Sequence, residues 1–186
     1  MKRNIILAVA VLLIFIAVYW SQSNPGVEED LVIPGDISRW DPSVPSVGNL
    51  APLFIAPTLK GEKVNLVAYR GKTVLLYFWN QDCADCIAQM EQLEDFGQQH
   101  QDAVVVLGVH HGRSAPEAQV VVDNLAITHT IFSDPDNHLY QLYAPESEPA
   151  LYVIDPNGMI ADRWNGLVER EPLETAIESA RIDKNQ

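Results

Sequence analysis

The segment VLLYFWNQDCADC, residues 74–86, constrains the fold more than any other part of the chain. Its first six residues are continuously apolar, as in a strand that is buried on both faces. Cys83 and Cys86, the two cysteines of the chain, follow within a few residues. Apolar side chains then recur in steps of three as far as Phe96, which predicts one buried face of a helix. The cysteine pair is therefore predicted to lie between a buried strand and the start of a helix.

Three kinds of site use a pair of cysteines two residues apart. A structural disulfide here would close almost no loop and would add little stability. A structural zinc site needs about four ligands, and the chain has no second cysteine pair. A redox dithiol needs only the two sulfurs at a helix N-terminus, where the helix dipole stabilises a thiolate. We interpret Cys83 as the attacking sulfur and Cys86 as the resolving sulfur.

The pattern of the remaining chain alternates between strands and helices. Strands are predicted at 53–55, 64–66, 74–79, 104–109, 131–133, 151–154 and 159–164. Helices are predicted at 84–100, from a capping box at Ser114 to 125, at 137–143, and from Pro172 to 181. This order predicts an α/β fold with a central mixed sheet flanked by helices.

The start of the chain predicts a membrane segment. Lys2 and Arg3 precede sixteen residues, 5–20, that carry no charge. As a helix they span about 24 Å, slightly less than a ~30 Å hydrocarbon core. An uncleaved transmembrane anchor is favoured, with a cleaved signal peptide as the alternative. The predicted organisation is an anchor or signal segment at 1–22, a Pro/Gly-rich tether at 23–48 and one domain at 49–186.

Charge and the predicted anchor together indicate where the domain works. The net charge of −13 argues against nucleic-acid binding, which relies on Lys and Arg to neutralise phosphates. Positive residues before the apolar segment keep the N-terminus in the cytoplasm. The expectation is a single-pass protein of a bacterial inner membrane, with its soluble domain in the periplasm or otherwise outside the cytoplasm.

From residue 50 to residue 181 the chain resembles the thioredoxin superfamily, and most of all the membrane-anchored thiol–disulfide oxidoreductases of the TlpA/ResA type. The resemblance is carried by APLFIAPTLKGEKVNLVAYRGKTVLLYFW, by DCADC and by EPALYVIDPNGMI. It implies a thioredoxin-like fold, a redox-active disulfide between Cys83 and Cys86, and no cofactor or metal. It also implies a cis Pro149 that faces the disulfide, with Trp79, Glu148 and Pro149 contacting the substrate.

The same resemblance implies the partners. The substrate would be an oxidised exported protein or an apocytochrome c, as in cytochrome c biogenesis. The electron donor would be a membrane thiol reductase of the DsbD/CcdA type.

The chain departs from the resembled family at four positions. Asp82 replaces an aromatic residue before the first cysteine, and Asp85 replaces a proline inside the motif. Gln89 stands where an acid is common, and Tyr77 stands where thioredoxin has its buried acid. The proton acceptor of the dithiol would then be Asp82, Asp85 or Glu148.

The acids also bear on the direction of the reaction. Negative charge at Asp82 and Asp85 disfavours the Cys83 thiolate and so raises the pKa of this thiol. A less stable thiolate makes the disulfide a weaker oxidant. We therefore expect these two acids to adjust the thiol pKa in a protein that acts as a reductant.

Two alternative functions remain open at this point. Cys83 and Cys86 with His110 or His111 could bind a soft metal such as Cu(I), although the copper-delivery relatives of this superfamily use a wider cysteine spacing. A peroxiredoxin-like peroxidase would need a threonine three residues before the reactive cysteine, and Asn80 occupies that position.

Overall fold

A computed structural model describes residues 45–112 and 115–182 of the chain. The predicted membrane segment, the tether as far as residue 44, Trp40 and the Ser114 cap lie outside these residues. Within the described part, no helix has both the length and the apolar character that crossing a bilayer requires.

The described residues form seven strands and four α-helices. The strands are β1 (Ile55–Pro57), β2 (Lys63–Asn65), β3 (Thr73–Trp79), β4 (Val104–His111), β5 (Thr130–Asp134), β6 (Ala150–Ile154) and β7 (Ile160–Asn165). The helices are α1 (Ala84–Gln99), α2 (Ala115–Asn124), α3 (His138–Tyr143) and α4 (Arg170–Ile182). A five-stranded sheet has the order β5-β4-β3-β6-β7, and β1 and β2 form a separate antiparallel hairpin. The predicted mixed sheet flanked by helices is confirmed.

Strand β3 is the centre of the sheet, and all of its residues are buried. Alternate side chains point to opposite faces of a strand. Tyr77 and Trp79 pack with residues of α1, α2 and α4, whereas Leu76 and Phe78 pack with the hairpin and α3. Because layers cover both faces of the sheet, β3 has no polar face, which explains its continuous apolar sequence.

One edge of the sheet gathers the ends of several strands. Strand β3 runs parallel to β4, and β4 runs parallel to β5, so these three strands end on the same side. Strand β6 is antiparallel to β3 and starts there, with Ala150 opposite Phe78. We call this region the cysteine edge: the carboxyl ends of β3, β4 and β5 together with the start of β6. Ligand sites of α/β sheets commonly lie at such edges.

Most observed element bounds differ from the predicted ones by one or two residues. The last helix begins at Arg170, and Pro172 lies within its first turn, where a missing N–H removes no helical hydrogen bond. A 3₁₀ helix, Leu66–Tyr69, replaces the end of the second predicted strand, and the Asn65 side chain accepts a hydrogen bond from its Val67 N–H. Strand β4 continues through His111, two residues beyond its predicted end.

Candidate active site

The two cysteines form a disulfide at the start of α1. Cys83 is the N-cap residue of the helix, and its Sγ accepts a hydrogen bond from the Cys86 N–H at 3.0 Å. Cys83 is half-buried, whereas Cys86 is completely buried. A reactant that approaches from solvent therefore reaches the Cys83 sulfur first. In the reduced form, the helix N-terminus favours the Cys83 thiolate.

Asn80 folds the loop between β3 and α1. Its Oδ1 accepts a hydrogen bond from the Asp82 N–H at 2.9 Å, which forms a turn closed by the side chain. Its Nδ2 donates a hydrogen bond to Oε2 of Glu148. Asn80 therefore links the loop that carries Cys83 to the segment that precedes β6.

Glu148 brings a carboxylate to the disulfide. One of its carboxylate oxygens and the sulfurs of Cys83 and Cys86 all lie within 4.8 Å of one another. Its side chain is 13% exposed, and Oε1 accepts a hydrogen bond from Nε2 of His111. The peptide bond that joins Glu148 to Pro149 is cis, as the resemblance implied.

His111 is held on both sides of its ring. Nδ1 lies 3.1 Å from Oδ1 of Asn137, and the ring stacks on Tyr140 with 4.1 Å between centroids. Burial disfavours the charged imidazole, but the hydrogen bond to Glu148 and its carboxylate charge outweigh burial and raise the pKa of His111 above 6.5. Both ring nitrogens face oxygen atoms, an arrangement that suits the doubly protonated imidazolium.

The loop after β7 forms the rim of the site. The Gly166 N–H donates a hydrogen bond to the Pro149 carbonyl at 2.7 Å. The Val168 N–H donates to Oε1 of Gln89 at 2.8 Å, and Gln89 is completely buried. Between these two anchors, Leu167 is 44% exposed. The rim therefore offers an apolar side chain next to Gly166, the residue that is hydrogen-bonded to Pro149, and the sequence analysis did not predict it.

The structure separates the residues that were considered as proton acceptors. Asp82 and Asp85 are exposed at the start of α1. Among the described residues, Glu148 is the acid whose carboxylate is grouped with the two sulfurs, all within 4.8 Å of one another. The geometry therefore favours Glu148 over the two aspartates for contact with the disulfide.

Trp79 requires a correction. Its side chain is completely buried and packs on the ring of His110, with 4.8 Å between centroids. Because it has no exposed surface, Trp79 supports the site from behind and does not contact a substrate.

The histidines of the copper hypothesis also lie elsewhere. His110 is completely buried and its Nε2 contacts Oε1 of Gln81 at 2.7 Å, while His111 binds Glu148. In the part of the chain that the structure describes, the group of possible metal-ligating atoms around the sulfurs contains Glu148 and neither of these histidines. The structure does not form the site that the copper hypothesis requires.

A second histidine–glutamate pair lies inside the domain, and the sequence analysis did not foresee it. The Tyr77 hydroxyl lies 2.8 Å from Nε2 of His129, and Nδ1 of His129 lies 2.6 Å from Oε2 of Glu94. Glu94 also accepts hydrogen bonds from the N–H and the hydroxyl of Thr128. Tyr77, which replaces the buried acid of thioredoxin, is thus connected to a carboxylate through an imidazole.

Comparison with known proteins agrees with this geometry. Residues 47–163 match the AhpC/TSA family. The chain belongs to the AhpC/TSA family. This AhpC/TSA-family protein is 28% identical over 137 residues to the thiol-disulfide oxidoreductase ResA of Geobacillus kaustophilus, covering 73% of this chain and 79% of that protein. It is 29% identical over 134 residues to the thioredoxin-like protein YneN of Bacillus subtilis, covering 70% of this chain and 78% of that protein.

Solved structures similar to this AhpC/TSA-family protein have the same fold. One comes from Chlorobium tepidum and was proposed to be a thiol:disulfide interchange protein DsbE. It has a TM-score of 0.68 and 24% identity, and it covers 73% of this chain and 97% of its own. A DsbF homologue from Corynebacterium diphtheriae has a TM-score of 0.64 and 25% identity, covering 70% of this chain and 86% of its own. The described domain is therefore a thioredoxin-like α/β fold.

Proposed function

We propose that this AhpC/TSA-family protein is a thiol–disulfide oxidoreductase in which Cys83 attacks a substrate disulfide and Cys86 resolves the product. The observation that carries the proposal is the unequal exposure of two bonded sulfurs at a helix N-terminus. The partly exposed sulfur of Cys83 can meet a substrate, and the buried sulfur of Cys86 can only meet its partner. Relatives that are named thiol-disulfide oxidoreductases support the same activity.

The reaction moves two electrons. In the reduced protein, the Cys83 thiolate attacks one sulfur of the substrate disulfide, and the other substrate sulfur leaves as a thiolate. Cys86 then loses its proton and attacks Cys83, which releases the second substrate thiolate. The protein ends with the Cys83–Cys86 disulfide, and the substrate gains two electrons and two protons as a dithiol.

The substrate-contacting surface consists of Cys83, the Glu148–Pro149 segment and the Gly166–Leu167 rim. A backbone hydrogen bond joins the rim to the buried Pro149, which follows Glu148, whose carboxylate lies near the two sulfurs; we take these residues together as one wall of the site. An extended segment next to a substrate cysteine fits this wall, with an apolar side chain against Leu167. This surface favours a protein disulfide over a small-molecule disulfide.

The proposed cellular role includes the direction of the reaction, the substrates, the electron donor and the location of the domain. Acids at Asp82, Asp85 and Glu148 disfavour the Cys83 thiolate, which supports action as a reductant. The substrates are oxidised exported proteins or apocytochromes, and a membrane reductase of the DsbD/CcdA type restores the dithiol. The apolar segment at 5–20 anchors the protein in a bacterial inner membrane, and the domain works outside the cytoplasm. The resemblance to TlpA/ResA-type proteins supports each of these roles.

A peroxidase role receives less support. Asn80 stands in place of the threonine that the peroxidase hypothesis requires. Both ends of the Asn80 side-chain amide are engaged, one with the Asp82 N–H and one with Glu148.

Variants of the two cysteines test the proposed function. The substrate is an oxidised peptide with a single disulfide, and the readout is the mass of the intact protein. Cys83→Ser is expected to abolish exchange, because it removes the accessible sulfur. Cys86→Ser is expected to accumulate a mixed disulfide, because nothing resolves it. Ala84→Ser, an exposed change within the same motif, should exchange like the wild type. Full turnover by Cys83→Ser would contradict the assignment.

The Cys86→Ser variant also serves to identify the partner. Expressed with its full N-terminal segment, it should capture exported proteins as mixed disulfides that a reducing agent releases. Capture of apocytochromes would support cytochrome c biogenesis as the process. Recovery of only cytoplasmic proteins would contradict the proposed location.

A further inference from the structure

We propose that Glu148 accepts the Cys86 thiol proton in the resolving step, and that His111 is the positioning residue that holds this carboxylate in place and gives it a cationic neighbour. The inference rests on the proposed function and adds to it. It assigns the proton transfer, for which the two positions used by related proteins, Gln89 and Tyr77, provide no acid.

The first argument is distance combined with burial. Cys86 is completely buried, so its proton has no direct path to bulk solvent. A carboxylate oxygen of Glu148 lies within 4.8 Å of its sulfur, a distance that one water molecule or a small shift of the side chain spans. An ionised carboxylate can accept about four hydrogen bonds, and Asn80 and His111 supply one each. Glu148 therefore retains capacity for the thiol proton.

The second argument is the set of charged and titratable groups around Glu148. His111 faces it from β4, and Asn80 faces it from the end of β3. Tyr140 faces it from α3, and burial together with the Glu148 charge raises the pKa of this tyrosine, which keeps it neutral. Asp134, at the end of β5, acts on His111 and favours its protonated form. The surroundings thus place the protonated form of His111 in direct contact with Glu148.

The proposed step balances as follows. In the mixed disulfide, the Cys86 S–H bond breaks and its proton forms an O–H bond with Glu148. The Cys86 thiolate forms the S–S bond with Cys83, and the bond between Cys83 and the substrate sulfur breaks. The substrate leaves as a thiolate and takes up the proton that Glu148 releases. The carboxylate is then ionised again.

The two ways in which a carboxylate can act on a thiol predict opposite results. By its charge alone, Glu148 disfavours a neighbouring thiolate, so its removal would make Cys86 easier to deprotonate and faster to resolve. As a proton acceptor, Glu148 assists deprotonation, so its removal slows the resolving step. The sign of the change in rate therefore decides between the two roles.

The test follows the reduced protein as it reacts with oxidised glutathione, with acid quenching and mass spectrometry of the glutathione adduct. Glu148→Gln is expected to slow resolution by about 100-fold, the low end of the usual contribution of general acid–base catalysis. The adduct on Cys83 should then accumulate, while the initial attack is not slowed. Glu146→Gln is the matched control, because Glu146 lies in the same loop but is 70% exposed and paired with Arg163. Resolution by Glu148→Gln that is as fast as in the wild type would overturn the inference.

His111→Gln tests the positioning role, since glutamine can still donate a hydrogen bond but carries no charge. The acid limb of the pH–rate profile of resolution should move to higher pH, because the carboxylate loses its cationic neighbour. A purely structural role of His111 would change the rate without moving this limb. His138→Gln is the control, as His138 is an exposed histidine of α3. An acid limb that stays at its wild-type pH would contradict the role of His111.

Further outcomes separate the two levels of the proposal. If Glu148→Gln does not fold, Glu148→Asp keeps the charge but withdraws the carboxylate. Resolution should then be slower than in the wild type, and unchanged resolution would overturn the inference. If the wild-type protein does not exchange with any disulfide, the proposed function itself is wrong. If the wild type exchanges and Glu148→Gln resolves without delay, only the role of Glu148 is wrong.

Discussion

Two histidine–glutamate pairs in this domain use the same chemistry in different surroundings. His111 and Glu148 meet at the cysteine edge, where the side chains remain 14% and 13% exposed. His129 and Glu94 meet inside the domain, where each side chain is 9% exposed. The small difference in exposure is accompanied by a large difference in hydrogen bonding. Glu148 lies next to the disulfide, whereas Glu94 is surrounded by donors from Thr128, Gln98 and His129.

The pKa values of the two histidines change in opposite directions as a result. Burial would raise the pKa of Glu94, but hydrogen bonds from Thr128, Gln98 and His129 outweigh it and lower this pKa to about 2. Burial lowers the pKa of His129 more than Glu94 raises it, so His129 is neutral and donates from Nδ1 to an ionised Glu94. For His111, the contacts with Glu148 outweigh burial, and the pKa rises. At neutral pH the inner pair is therefore an ionised glutamate with a neutral histidine, whereas the His111 ring at the cysteine edge is protonated more readily than an ordinary histidine.

The largest expected effect comes from breaking the inner pair. Glu94→Ala leaves the Thr128 N–H and the His129 ring without their buried acceptor, which should lower the free energy of unfolding by about 3 kcal/mol. Asp95→Ala, an exposed change on the same helix, should alter it by less than about 0.5 kcal/mol. Urea denaturation at pH 7 measures both values. Equal stability of the two variants would remove the distinction between the pairs.

The cost of Glu94→Ala should also depend on pH. The pKa of Glu94 falls from 4.5 to about 2 on folding, so its contribution to stability is complete above pH 4.5 and is lost as the pH falls towards 2. The difference in unfolding free energy between wild type and variant should shrink over this range. A difference that is constant with pH would show that Glu94 acts by packing alone.

A smaller effect separates the two histidines. The pKa of His129 is lowered on folding, so its stabilisation is complete above pH 6.5 and is lost as the pH falls below that value. The pKa of His111 is raised, so its stabilisation is complete below pH 6.5 and is lost as the pH rises through the raised pKa. In a plot of unfolding free energy against pH, the decrease on the acid side should be smaller in His129→Gln than in the wild type. The decrease on the alkaline side should be smaller in His111→Gln than in the wild type. Denaturation from pH 5 to pH 9 tests this, and identical curves for both variants would contradict it.

The smallest effect is expected at the exposed acids. Asp82→Asn and Asp85→Asn should each lower the pKa of the Cys83 thiol and raise the reduction potential, with the largest change in the double variant. Because both side chains are exposed, the change in thiol pKa should be at most about half a unit and should decrease at high salt. Thiolate absorbance and equilibration with glutathione measure the two quantities. An unchanged thiol pKa in the double variant would mean that the acids do not adjust the dithiol.

The arrangement of Cys83 and Cys86 could be predicted because local sequence determines it. A continuous apolar strand, a short polar loop and an amphipathic helix leave few other places for the pair. The mixed sheet could also be predicted, because local patterns indicate each strand and helix and their order indicates the fold class. The exposure of Asp82, just before the helix, and of Asp85, in the first turn of α1, is also a local property.

The pairings of the two histidines could not be predicted in this way. His111 and Glu148 are far apart in sequence, and they meet because β4 ends where β6 begins. Strand β4 was predicted to end before His110, which placed both histidines in a loop. Trp79 was expected to contact the substrate because of the family resemblance, but its side chain is completely buried under the layer of helices over β3. Contacts of this kind depend on strand register and layer packing, which one sequence does not specify.

Histidine titration by NMR, in the disulfide and dithiol forms of the protein, tests the central claim most directly. The claim is that the pair at the cysteine edge is coupled to the redox reaction and that the inner pair is not. Reduction adds ionisable thiols near Glu148, and their thiolate form stabilises the charged imidazole, so the titration midpoint of His111 should rise, while His129 should behave identically in both forms. A His111 midpoint that is the same in both forms, or a His129 that responds as strongly as His111, would contradict the account.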